Sequence, residues 1–598
     1  MNRAYLLYPF FLISFLLFVS IVSAQPLSGI KTIGGENPDY PTIHAAVDSL
    51  NARGAGQGGV RFQIRNGTYT ENAFAVTAML DANRQAIFGV DSGATVTVTL
   101  NGTVNDTGLL KLRCRYVTFD GSWNGDIHGR HLSFSGSPTL ILVWIADSAS
   151  YNTVKNCILN DLTNWTAATT LVVGFYNPSS NNNRVVRNRL IDCDIIGGLT
   201  GINHNGYHNE ARMVDSTEIS YCNVFNFRSF GIDFYYSSNI EITHNRIYTN
   251  IPATSGYIGI IIDRNVNVCK VDANHIGPLV NAPGEVYGIL SFGATGSIFS
   301  NNMINLSASN TSYTYGISVN TSHPNKYLNN SISLVGNDTI ANSCAFYYSP
   351  TTVIAGDSIL GNIFQNTCSG GVFPYNYHSV LYSNGSINGT FSDYNLLTNG
   401  SNDSTDNRFI ARAFNSSYDS IYIYNTLSEL RASNWGPRDT HSISELAPFD
   451  SDSDLHIQSG VPTGLESGAL HHWQVPTDYD GDIRTSPMCD IGADEGNFTP
   501  LSIRHESVTT PNTFSLSTIY PNPFNSTATI RFSLPITSNV KGEVFDITGR
   551  RVSQLLNGKV NAGEHRIQFD GSKLASGMYF VRLTAGKTTV QQKMILLK

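Results

Sequence analysis

Asp233 and Asp263 stand on two similar stretches of the chain, GIDFYY and GIIIDR. Paired carboxylates can do acid–base work on a glycosidic bond. In an inverting glycosidase one protonates the leaving oxygen while the other activates water, and the two sit ~6.5–9.5 Å apart. His204 and Arg264 lie close by in sequence, as a candidate proton carrier and a candidate cation. Tyr176, Asn203, Tyr235, Phe292, Tyr347 and Tyr375 occupy related positions and are candidates for meeting a substrate, the rings by stacking and the amide by hydrogen bonding. No Asn-Thr-Asp triplet and no Asp-Asp pair falls on these stretches, and no cluster of aspartates surrounds an arginine there. The acids therefore fit a hydrolase or lyase, a non-catalytic binding face, or side chains on a structural stalk.

What could hold such residues in line is an internal repeat. Aligned on an amide two residues before an apolar Ile or Leu, the chain repeats at Asn156, Asn188, Asn245, Asn274, Asn302, Asn330 and Asn362, with Cys222 in the same slot. The intervals run from 23 to 34 residues. A second marker, a Gly followed by an apolar residue, recurs about fourteen residues upstream, as in Gly231-Ile232, Gly259-Ile260, Gly288-Ile289 and Gly316-Ile317. Between the markers lie short alternating runs such as Ile240-Glu241-Ile242-Thr243, and none has the spacing of three and four that a helix needs. A unit this short cannot bury its own apolar face and must stack on its neighbour. The expected fold is all-β, a right-handed parallel β-helix with coils ~4.8 Å apart. In its bends the recurring amide accepts a hydrogen bond from one coil and donates one to the next.

The strand that starts at the Gly marker then has outward columns two and four residues on. The first reads Tyr176, Asn203, Asp233, Ile261, Leu290, Ser318, Tyr347 and Phe373. The second reads Pro178, Asn205, Tyr235, Asp263, Phe292, Asn320, Ser349 and Tyr375. One coil of rise and two residues of offset put Asp233 and Asp263 roughly 8 Å apart at Cα.

Composition agrees with short strands and turns. Charged residues are 14% of the 598, well under the usual ~25%, while Gly (52), Tyr (29) and Phe (30) are plentiful. Net charge is −8 without a basic run, which argues against nucleic acid and anionic lipid as partners. Residues 1–24 read as a secretory signal: Arg3, an apolar stretch from Tyr5 to Val22, then Val22-Ser23-Ala24. The competing reading is an uncleaved anchor, and no later segment is apolar enough to span a membrane. Eight cysteines, spread one per segment without a CxxC pair, read as small buried residues, and the fold needs no disulfide.

An open β-helix end needs a cap. In NPDYPTIHAAVDSL, Ile43, Ala46, Val47 and Leu50 form a helical stripe for one. Asp39-Tyr40-Pro41-Thr42-Ile43, then Asn66-Gly67-Thr68-Tyr69 with Glu71, resembles the start of the pectin lyase-like superfamily of right-handed β-helices, which implies that fold over residues 25–496. Trp435-Gly436, Asp454-Leu455-His456-Ile457, Asp480-Gly481-Asp482-Ile483-Arg484 and Asp490-Ile491-Gly492-Ala493-Asp494-Glu495 resemble a tail of such proteins, implying a last coil folded back as a C-cap. Ca²⁺ held by Asp478, Asp480 and Asp482 competes here with turn chemistry and an Arg484–carboxylate pair. Ile483 stands where an EF-hand loop requires glycine, and no cofactor is expected.

Residues 497–517 read as a linker, and 518–598 as a β-sandwich of alternating strands. Tyr520-Pro521-Asn522-Pro523-Phe524-Asn525, Asp546-Ile547-Thr548-Gly549-Arg550, Ser576-Gly577-Met578-Tyr579 and Lys593-Met594-Ile595-Leu596-Leu597-Lys598 resemble the type A C-terminal sorting domain of the type IX secretion system. The resemblance implies a bacterial chain that engages that machinery and ends outside the cell or on its surface. The expectation is a secreted β-helix that contacts extracellular polysaccharide, with polysaccharide hydrolysis or cleavage and an adhesive stalk as alternatives.

Overall fold

The computed structural model describes residues 25–500, 514–516, 519 and 521–598, except 164–169, 177–183, 207–213, 254, 265, 281, 309–312, 321–323, 337–341, 350–355, 371–376, 384–390, 401–407, 415–420, 434–437 and 561–562. The signal read at 1–24 lies outside the described residues. Two compact units emerge, one running to Pro500 and one spanning Leu501–Lys598. Among the described residues no helix is long and apolar enough to cross a membrane.

The larger unit is a parallel β-helix. Each coil gives one strand to each of three sheets, as Ala55–Ile64, Gly67–Asn72 and Phe74–Val76 do in turn. Strands pair in parallel with their counterparts one coil on, until Ile421–Tyr424 closes the third sheet antiparallel to Arg408–Phe414. Inward residues therefore stack in columns, such as Ile219–Ile242–Val271–Phe299–Tyr327 in the first sheet. Phe62, Phe88 and Phe119 stack there at centroid distances of 4.4 and 4.9 Å, all fully buried. Each such ring contributes roughly 1.5–3 kcal/mol of burial.

The repeated amide has the expected role at a corrected set of positions. Between the first and second sheets the chain turns on a left-handed residue followed by a ladder residue. His244, Asn301, Asn329 and Tyr394 take φ of 55°, 51°, 51° and 60°. Asn245, Asn274, Asn302, Asn330, Asn362 and Asn395 follow such residues and form one stack. In each, Nδ2 donates back to a carbonyl of the preceding coil, as Asn302 does to Val271 at 2.9 Å. From Asn274 on, each Oδ1 accepts from both the backbone N–H and the Nδ2 of the previous asparagine, at 3.1 and 2.8 Å from Asn302 to Asn330, while Asn245 Oδ1 accepts the Cys222 N–H at 2.9 Å. Strand register continues this slot upstream through Cys222, Cys193 and Cys157. Asn156 is the left-handed residue before Cys157, not a rung. Asn188 belongs to the other bend, where it pairs with Asn152. All eight cysteines are free and buried.

Both ends carry a helix. In α1 (Ile43–Arg53), Thr42 caps the first turn, and the buried Glu71 carboxylate accepts the Ile43 N–H at 2.8 Å. That bond explains why a glutamate follows the Gly-Thr-Tyr motif: it binds a free N–H at the positive end of the helix. In α2 (Leu427–Arg431), Leu427 and Leu430 join the main core beside the last strands of the third sheet.

The following tail is not a last coil folded over the end. It runs back along the bends between the first and second sheets. Asn301 Nδ2 donates to Thr477 O, Asn329 Nδ2 to Asp490 O, and Gly492 N to Gly361 O. The Arg484–carboxylate pair expected there is buried: Arg484 reaches Glu495 at 3.1 Å and Asn301 at 2.8 Å. Asp478 Oδ1 accepts three successive backbone N–H groups, from Asp480, Gly481 and Asp482, which is turn chemistry. Asp494, rather than Asp482, shares its neighbourhood with Asp478 and Asp480.

The smaller unit holds two antiparallel sheets, of three and four strands, on a shared core that includes Ile530, Phe532, Val544 and Val581.

Candidate functional site

The marker glycines aim the candidate acids. Gly231 and Gly259 sit in strands Phe230–Tyr235 and Tyr257–Asp263 of the third sheet. Each is followed by a fully buried isoleucine, Ile232 or Ile260. A Cβ on Gly231 would lie 2.5 Å from Gly259 O and 2.6 Å from Ile247 Cγ2, so only glycine fits this close approach. Two consecutive inward residues reset the alternation, and the next residue, Asp233, faces out.

Register then gives the columns. Asn203 opposes Asp233, which opposes Ile261. Asn205 opposes Tyr235, which opposes Asp263. The two acids are thus one coil and two residues apart, the arrangement read from the sequence. Asn203 Nδ2 donates to Asp233 Oδ2 at 2.9 Å. Oδ1 of Asp233 and Oδ1 of Asp263 are both buried without a hydrogen-bond partner. Only 5% of Asp233 and 7% of Asp263 is exposed. Arg264 has its side chain largely in solvent, its Nε 3.8 Å from Asp263 Oδ1.

Desolvation decides the protonation of the pair. Burial pushes the Asp233 carboxyl up to about 7; the Asn203 N–H opposes the rise and the Asp263 charge adds to it. Burial also raises Asp263, against the pull of Arg264 and of the Tyr235 hydroxyl. The Tyr235 phenol is pushed up by burial and by both carboxylates. Near neutral pH such a pair holds one proton more readily than none.

The other candidates divide. His204 has the opposite parity and points into the core, between Phe175 and Phe234. Its ring nitrogens meet Ser237 at 2.7 Å and Thr217 at 3.0 Å, and burial holds it down to about 3. A neutral, enclosed imidazole cannot carry protons to the outer face, so that reading of His204 is corrected. Gly174, not Tyr176, opposes Asn203; Tyr176 stands opposite Asn205, in the second column. Phe292 is 42% exposed on the outer face, and Tyr235 and Asn203 are half-buried. Tyr347 stacks on Tyr382 and lies tilted at 57° against Tyr315, both centroid distances 4.9 Å, so its ring faces are taken up by neighbouring tyrosines. Tyr375 and Phe373 lie outside the described residues. The third-sheet strand of that coil is His378–Ser383, which places Tyr382 beside Tyr347. Sequence reasoning missed Tyr382, Tyr377 and Arg412, whose guanidinium lies 3.8 Å from the Tyr377 ring centroid. The alternating run HSVLYS was the signal for that strand, obscured by the glycine marker upstream of it.

Comparison with known proteins separates the two units. Residues 518–597 match the family model described as the secretion system C-terminal sorting domain. This is the type IX sorting domain, and it directs the chain to the cell surface or the extracellular space. No curated protein matches the chain. Among solved structures, the chain is similar to pectate lyase Pel9A, at 10% identity over 79% of this chain and 98% of that one, with a TM-score of 0.40. It is also similar to XylC solved with xylose, at 11% identity over 79% and 99% of the two chains, TM-score 0.39. The A-module of mannuronan C-5 epimerase AlgE4 from Azotobacter vinelandii follows at 13% identity over 57% and 86%, TM-score 0.29. At these identities and scores nothing about this chain's chemistry follows from the likeness.

Proposed function

We propose that this exported protein contacts extracellular polysaccharide through the outer face of the third sheet, with Asp233 and Asp263 at the centre of the contact. One observation carries the reading. Two carboxylates on adjacent coils each keep a buried oxygen without a partner, where a buried acceptor ordinarily finds one. A ligand supplying donors would satisfy both, and what sets this pair apart from other open buried atoms is that the two stand on adjacent coils of one outer face. Ile261 and Leu290 continue the Asp233 column, and Phe292 lies beside the Asp263 position. They offer apolar surface for the carbon face of a sugar ring.

Hydrolysis is the second reading, favoured by the rise of Asp233 to about 7 beside a second acid. Two carboxyls driven to different proton affinities suit the roles of general acid and general base. The test is a panel of soluble polysaccharides, assayed for retention and for new reducing or unsaturated ends, with the full chain and with Asp233→Asn and Asp263→Asn. Retention lost in both variants without any product supports contact. Product formed by the unchanged chain and lost in the variants supports hydrolysis. Retention that both variants keep in full would remove the acids from the site.

A further inference from the structure

We propose that the ligand of this face carries free amino groups: a polysaccharide containing 2-amino sugar units, with one ammonium seated between Asp233 and Asp263. This rests on the reading of the third sheet as a glycan-contacting face and adds the chemical class. The face is rich in acceptors: Asn203 donates to Asp233, and Arg264 and the Tyr235 hydroxyl favour the charged form of Asp263, yet one oxygen of each acid stays open. Asp233 Oδ1 and Asp263 Oδ1 are buried and unpartnered. Asn203 spends an amide N–H on Asp233 Oδ2, which leaves its carbonyl oxygen as a further acceptor. The side chains that follow in the same column, Ile261 and Leu290, donate nothing. Compensating charge is also short. Arg264 sits beyond hydrogen-bond distance of Asp263, and 61% of its side chain is exposed.

Three classes of sugar answer this differently. A uronate brings its own carboxylate to two buried ones, and like charges in a desolvated place repel strongly. A neutral sugar offers hydroxyl donors and no charge. An ammonium offers three donors and a full positive charge, which meets both open oxygens at once. The raised Asp233 carboxyl adds a signature: an ammonium seated beside it draws it into the ionised form, so binding releases a proton.

Titration calorimetry on the full chain at about pH 5, where the sugar amines are already charged and Asp233 still holds its proton, tests this with three oligosaccharides of equal length: a β-1,4-glucosamine oligomer, its N-acetylated twin and an oligogalacturonate. The amino oligomer is expected to bind at least ~10-fold tighter than its twin and to release a proton, read from the dependence of the binding heat on the buffer. Asp233→Asn and Asp263→Asn, checked for unchanged thermal midpoints at acid pH, are expected to abolish both the preference and the proton release, weakening the amino oligomer far more than its twin. Equal binding of the twin, or tighter binding of the galacturonate, overturns the amino-sugar assignment and leaves the contact face standing where the variants still weaken that binding. Failure of all three oligomers, together with every member of the polysaccharide panel, overturns the face itself.

Discussion

Two sets of buried acids in the β-helix unit, one in the tail and one on the third sheet, are partnered in opposite ways. In the tail every oxygen of Glu495 is engaged: one accepts from Arg484 at 3.1 Å and Asp490 N–H at 2.8 Å, the other from the Thr485 N–H and hydroxyl. Asp490 accepts from Ser467 and Gly496. On the third sheet, Asp233 and Asp263 each keep an oxygen with no donor. Proton affinity does not tell the regions apart, because burial raises Asp490 to about 7 as well. What separates them is partnering. The engaged oxygens of the tail acids hold the fold together, and the proposed contact face is read from the oxygens that Asp233 and Asp263 leave open.

The largest expected effect tests the satisfied region. Arg484→Met leaves Glu495 buried without its cation and is expected to cost about 3–5 kcal/mol, measured as a lowered urea midpoint. Adding Glu495→Gln should restore most of that loss, since the uncompensated charge goes too. A single variant as stable as the parent chain would mean that the tail is held by its backbone bonds alone.

A smaller effect, of opposite sign, is expected at the outer face. Asp233 is raised from 3.8 to about 7 in the folded chain, so the folded state binds the proton more tightly than the unfolded state. Stability is therefore full below about pH 4 and declines as pH rises toward 7. Asp233→Asn should flatten that decline, gaining on the order of 2–4 kcal/mol at pH 8 and almost nothing at pH 4. Equal urea midpoints for variant and parent at both pH values would place the Asp233 carboxylate in water rather than in a desolvated site.

How much of this could be read from the chain follows the same division between local and distant causes. The stacking of coils, the amide in the bend and the offset of Asp233 from Asp263 were legible, because each is set within one repeat of 23 to 34 residues. The ladder's membership was only half legible. Two different bends use the same turn and the same amide, so Asn188 and Asn245 look alike in sequence although they stand in different stacks. Cysteines in a ladder slot look like ordinary core residues. The tail's path was illegible: Arg484 meets Asn301 across 183 residues, and nothing in either segment announces the other. Nor does sequence alone say which acids have found donors, since the partners of Glu495 and the lack of partners at Asp233 are both products of the folded arrangement.

The smallest effect asks what a satisfied polar group is worth along a single column. Asn302 joins three coils: it donates to Val271 O and to Asn330 Oδ1, and its own Oδ1 accepts from Asn274. Asn302→Ala orphans those buried partners and is expected to cost about 1–3 kcal/mol. Cys193, four rungs away in the same slot, makes weak sulfur contacts, 3.3 Å to Ile191 O and 3.6 Å to Val154 O. Cys193→Ala removes no strong donor and should cost about 1 kcal/mol or less. Urea midpoints of the two variants measure the difference directly. Were the alanine at 193 as costly as the one at 302, packing volume rather than hydrogen bonding would be holding the column.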